Sequence, residues 1–192
     1  VNDIVRIQGL STQIHYNDKT AVIESLCSDG KFGVRILGGS LLKLAAEKMT
    51  KADEPTSQKA AFYLSAERND VKSLKENLGK VDIETCFEGR TCLIAAAAAG
   101  AADAVEFLIE RKALVNAQES ESGLTPLHYA CRKGDTMALA VLTLIEAGAD
   151  ASQLGINPTH TPLDEAKHPK VLHALLTALQ RRIEQSPSGA AA

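Results

Sequence analysis

The chain has 192 residues, room for one medium domain or two small ones. Its 45% hydrophobic content excludes a disordered chain, and 4% aromatics with no Trp call for a core of Ala, Leu, Val and Ile, which suits closely packed helices better than a large sandwich. A net charge of −3 argues against a basic nucleic-acid binder, and the uncharged run from Thr91 to Ala102 falls far short of the roughly 20 apolar residues that span a bilayer.

The first 50 residues read as short strands. Ile4 to Ile7, Thr20 to Leu26, Phe32 to Leu37 and Ser40 to Leu44 are apolar and β-branched runs. Polar turns at Asn17-Asp18-Lys19 and Ser28-Asp29-Gly30, and the pair Gly38-Gly39, separate them. Asp-Gly between two such runs is a hairpin signal. About four or five strands in so short a segment imply a small curled barrel over residues 1–49. In strand spacing and turn chemistry it resembles a Src-homology-three-like barrel. Residues 50–58, with Lys51, Asp53, Glu54 and Pro55, read as a polar linker.

After the linker the texture becomes helical and repetitive. The block Gly123-Leu124-Thr125-Pro126-Leu127-His128-Tyr129-Ala130-Cys131-Arg132-Lys133-Gly134 has a weaker copy from Gly89 to Gly100. It begins again at Thr161-Pro162-Leu163-Asp164. A degenerate first unit precedes them, with helices from Ala60 to Arg68 and from Val71 to Leu78. These units, Thr125-Pro126-Leu127-His128 above all, resemble the ankyrin repeat. The resemblance covers Ser57 to Gln185 and implies an α+β chain divided by domain: a small N-terminal β-barrel, then an α-helical solenoid of about four repeats. Their expected bounds are residues 59–86, 87–118, 119–153 and 154–185, with a flexible tail over 186–192. Thr125 is the expected cap of a helix that opens on Pro126. The stretch from Gly134 to Gly148 is about two residues longer than the family's unit. Pro169 cuts short the first helix of the last unit.

Chemical constellations are sparse. Cys27, Cys86, Cys92 and Cys131 lack the spacing of a disulfide framework, which fits a reducing intracellular compartment. Cys86 and Cys92 are too far apart for a zinc knuckle, where roughly two to four residues intervene. His168 and His173 are off the spacing that shares a helix face and flank Pro169. His128, near Cys131, stands where the ankyrin family uses His to bond loop backbone. No catalytic, metal or cofactor site is expected.

The resemblance implies a non-enzymatic scaffold that binds protein partners through loop fingers and the concave helical face. The residues so assigned are Phe87, Glu88 and Arg90 on one finger, Glu119, Glu121 and Leu124 on the next, and His160 on the last. Tyr129, Arg132 and Lys133 would line the helices. Aromatic and Arg side chains dominate interfaces, which favours Phe87 and Tyr129. The sequence opens on Val1 without an initiator Met. That start also fits an organellar stroma or matrix protein trimmed of its presequence, an accessory or assembly subunit of a photosynthetic or respiratory membrane complex. The cytoplasm is the other expected compartment.

Overall fold

The computed structural model describes residues 3–11, 13–37, 41–156 and 160–185. The expected Gly38-Gly39 turn and the 186–192 tail lie outside the described residues. Five antiparallel strands come first: β1 (Ile4–Ile7), β2 (Thr20–Leu26), β3 (Phe32–Ile36), β4 (Leu41–Leu44) and β5 (Met49–Lys51). Their order in the sheet is β4-β3-β2-β1-β5. Among the described residues the two outer strands, β4 and β5, do not pair with each other, so the sheet is open.

Alternation along these strands makes a two-faced sheet. Val5, Ile7, Ala21, Val34 and Ile36 form a core of their own with Leu44. The intervening residues Ile4, Val22 and Leu37 belong instead to the core of the helices. Between β2 and β3 the register shifts at Ile23 to Ser25, where Glu24 is the extra residue. Glu24 accepts from Arg35 on β3 at 2.6 Å.

Among the described residues eight α-helices follow: α1 (Glu54–Glu67), α2 (Val71–Asn77), α3 (Cys92–Ala99), α4 (Ala102–Glu110), α5 (Pro126–Lys133), α6 (Ala138–Glu146), α7 (Pro162–Glu165) and α8 (Pro169–Gln185). The odd-numbered helices pack side by side in one row and the even-numbered helices in a second. Small side chains let the first row close up: Ala60, Ala66, Ala95, Ala96, Ala97 and Ala130 are all buried. The extra residues after Gly134 form a 3-10 turn, Asp135–Met137, that carries the chain into α6. As Pro169 requires, α7 is only four residues long.

The polar stretch 50–58 is not a linker. Met49–Lys51 is strand β5, and Asp53 caps α1 by accepting from the Thr56 N–H at 3.4 Å. Cap and first-turn residues are polar and Pro-tolerant for the same reason that linker residues are, and composition does not separate them. The chain therefore passes from sheet to helices within two residues.

Sheet and helices share one seam. Val22 and Leu37, both fully buried, lie in one cluster with Ala60, Tyr63 and Leu64 of α1. Ion pairs frame it: Arg35 to Glu67 at 2.8 Å and Arg6 to Asp53 at 3.4 Å. A terminal helix pair of a stacked array otherwise exposes its apolar side to water. Leu37→Ala should cost about 2–5 kcal/mol. Hydrogen exchange should then show β1–β3 and α1–α2 losing protection together; loss confined to the strands would mean the sheet is not part of the helical array.

Candidate functional site

Three loops project on one side of the helices. The first closes as a two-residue hairpin, β6 (Cys86–Phe87) with β7 (Arg90–Thr91). The second spans residues 111–125 and the third leads into α7. Backbone bonds join them edge to edge. The Ser120 N–H donates to the Gly89 carbonyl at 3.3 Å, and the Ile156 N–H to the Ser122 carbonyl at 2.7 Å. Gly123 sits at φ +66, and a Cβ there would lie 2.9 Å from the Ile156 nitrogen, so only Gly fits.

The last two loops are tied to the helices through one histidine. Thr125 caps α5 in a box closed by His128. The Thr125 N–H donates to His128 Nδ1 at 3.1 Å, while Nε2 lies 2.9 Å from the His160 carbonyl. These neighbours assign the proton to Nε2: Nδ1 must accept and Nε2 must donate. Burial holds the His128 pKa below its ordinary 6.5, the opposing bond to the His160 carbonyl notwithstanding. The expected backbone-bonding role is the one observed.

Tyr63 occupies the matching place on α1, and its hydroxyl is buried without a hydrogen-bond partner among the described residues. Ile94 occupies it on α3. The box closes again at α7, where Asp164 stands in place of His and exchanges both bonds with Thr161.

Beside the loops runs a charged and aromatic strip. Tyr129, half-buried on α5, lies between two guanidinium groups. The Arg90 carbon is 5.5 Å from its ring centre and that of Arg132 is 5.9 Å. The Tyr129 hydroxyl donates to Glu119 Oε2 at 2.7 Å, and Arg90 and Ser122 also donate to that carboxylate. Burial pushes Glu119 up, but the bonds from Ser122, Tyr129 and Arg90 outweigh it and hold the carboxyl below its ordinary range. Arg132 grips Glu165 with two nitrogens, at 3.0 and 2.7 Å. That bond lowers the Glu165 pKa against the effect of burial. His160 Nδ1 lies 3.6 Å from the same carboxylate.

Five of the ten residues expected to contact a partner, Arg90, Tyr129, Arg132, Lys133 and His160, line this strip, and Glu121 lies exposed on the adjoining loop. Four are placed otherwise. Leu124 is 3% exposed and Glu119 5%. The second loop closes through a bond from the Glu119 N–H to the Leu124 carbonyl, and both side chains turn inward. The Phe87 and Tyr63 rings meet edge to face, centroids 5.3 Å apart, and Phe87 covers the junction of the first two repeats. Glu88, at φ +50, pairs with Lys19 of the sheet at 2.7 Å. Two residues at the site carry no signal in the sequence. Lys19 brings the sheet to the end of the row of loops, and Ile156 stands 65% exposed on the third loop.

Two of the four cysteines, Cys92 and Cys131, are buried, whereas Cys86 is exposed and Cys27 half-buried. Cys92 is buried with its sulfur 3.3 Å from the Thr85 carbonyl, and burial pushes its thiol up. Burial likewise pushes Cys131 up to about 12. No group of three or more metal-binding side chains converges among the described residues. No described helix is long and apolar enough to cross a membrane.

A family model for ankyrin repeats, in three copies, matches residues 57–154. No curated protein matches the chain.

Two outcomes check this geometry. A histidine whose pKa is lowered by folding contributes stability that is complete above the unfolded value of 6.5 and is lost as pH falls from there through the lower folded value. Urea unfolding should therefore show stability declining from about pH 7.5 to about pH 5.5. The decline should be shallower in His128→Leu, whatever that variant's absolute stability. Tyr63→Phe should keep or raise stability, by up to about 1 kcal/mol, because the hydroxyl it removes is desolvated without a bond in return; a loss above that size in the melting curve would mean the hydroxyl is partnered.

Proposed function

Since the chain belongs to the ankyrin-repeat family, we propose that it is a non-enzymatic binding protein that holds a protein partner on its row of loops and on the α1-α3-α5-α7 face beside them. Ankyrin repeats generally mediate protein–protein interaction. The observation that carries the reading is the Tyr129 strip. Its aromatic ring stays half open to solvent while Arg90 and Arg132 are already fixed by carboxylates buried beneath them. Fixed side chains lose little conformational entropy when a partner arrives, so contact energy is not spent on ordering them. Both guanidinium groups keep N–H donors beyond those committed to Glu119 and Glu165. Tyr and Arg are the residues most often found to dominate interface energy.

The sheet fits a Src-homology-three-like module that ends the solenoid. Its strand order and the 3-10 turn between β4 and β5 support that reading. Lys19, paired with Glu88, then extends the binding surface from the loops onto the sheet.

A photo-crosslinking amino acid at Lys133, which is exposed at the edge of the strip, should capture a defined protein from the native source. Tyr129→Ala combined with Arg132→Ala should weaken that complex by at least tenfold with the fold intact by circular dichroism. Unchanged affinity in the double variant would remove this surface from consideration.

A further inference from the structure

On the opposite side of the array, between the outer helices α6 and α8, lies an open groove of about 560 Å³. Its floor is apolar, formed by Leu142 and Ala174. Leu139 forms one lip and is 60% exposed, although it sits on a helix whose other apolar residues are largely buried. Lys170, His173 and Arg181 line the other wall. These three recur at intervals of three and eight residues, so they share one flank of α8. Two features of the chain open the groove. The 3-10 turn Asp135–Met137 delays the start of α6, and α8, at 17 residues, outruns the nine of α6.

Lys170 and Arg181 make this wall basic in a chain whose net charge is −3. Among the described residues neither Lys170 nor His173 has an ion-pair partner for its side chain, whereas Arg181 meets Glu146 at 3.5 Å at the far end. Asp135 accepts from the Lys170 backbone N–H at the near end. From Lys170 to Arg181 the wall runs about 16 Å, or three helical turns. An apolar trough with one cationic side complements an amphipathic helix that carries apolar residues at three- and four-residue spacing and carboxylates along one edge.

We propose that the α6–α8 groove is a second docking site, whose occupant is an acidic amphipathic helix of a protein partner. Leu139 supplies the apolar contact, and Lys170 and Arg181 supply the charge preference, with the His173 ring between them. This site is separate from the Tyr129 strip, and the two can be filled together.

The test is peptide display on the full chain. Three libraries of 16-residue helical peptides share leucines at three- and four-residue spacing and carry Glu, Lys or Gln along one flank. The Glu library should yield binders at least tenfold tighter than the other two. Those binders should lose at least tenfold on Leu139→Glu and on Lys170→Glu combined with Arg181→Glu. All three substitutions fall on exposed side chains, so folding, checked by circular dichroism, is retained. Tyr129→Ala with Arg132→Ala should leave the same binders unaffected, which separates this site from the concave one. The proposal is overturned if no library yields a binder sensitive to Leu139→Glu, if the Lys or Gln peptides bind as well as the Glu peptides, or if sedimentation shows the groove filled by a second copy of the chain.

Discussion

A stack of helix pairs cannot finish itself. Each pair buries one side on its neighbour and leaves the other for the next, so the first pair needs a cover from outside the series. Here the cover is the rear of a β-sheet. Period-two alternation sends Val5, Ile7, Ala21, Val34 and Ile36 into the sheet's own core and turns Ile4, Val22 and Leu37 onto the helices. Of the ion pairs around the seam, Arg6 to Asp53 is exposed and adds little, and Arg35 to Glu67 is part-buried. They fix orientation, while the buried apolar area supplies the energy. Because α1 is held this way, the first loop is set beside Lys19, and each later loop is set by backbone bonds to the one before. The binding surface inherits its geometry from the seam.

The sequence was most legible where local chemistry and repeat period agreed. Thr125 caps the helix, Pro126 starts it, Leu127 enters the core and His128 bridges to the next loop. Each of these roles follows from the residue's own chemistry, and the structure contains all four. Asp164 in place of His still closes the box with Thr161, but apolar and phenolic replacements do not. Ile94 in place of His cannot bridge, and Tyr63 fills the space but leaves its hydroxyl unbonded. The helices survive in those repeats because packing of Ala and Leu, not the box, carries most of their stability. The strands were also legible, since Ile4 to Ile7 and Thr20 to Leu26 are apolar, β-branched runs bounded by turn residues. The residues that look like a linker were not: Asp53, Glu54 and Pro55 are cap and first turn.

At the candidate site, residue type was easier to foresee than exposure. Glu119 and Leu124 lie in a loop of Glu and Ser that reads as solvated, yet a single hairpin bond turns both inward. Burial of Glu119 is tolerated only because Arg90, Tyr129 and Ser122 all donate to it, and those donors come from three separate elements. Such convergence has no local signature. The Lys19–Glu88 pair, 69 residues apart, has none either.

The two faces of the array differ in how they present charge. On the Tyr129 strip each Arg stands over a buried carboxylate, so the net field is weak and what remains is shape, an aromatic ring and fixed donors. That combination favours specificity over attraction. On the outer face the wall of α8 keeps Lys170 without an ion-pair partner among the described residues, beside an open apolar trough. That combination favours attraction, and it asks little of a partner beyond helical periodicity and carboxylates. A solenoid can sustain both because its rows of helices are independent surfaces over one core: residues on the outer flank of α8 change without disturbing Glu165 or Tyr129 on the inner row. The longer loop after Gly134 fits this division. It leads directly into α6 on the outer row and leaves α5 packed between α3 and α7.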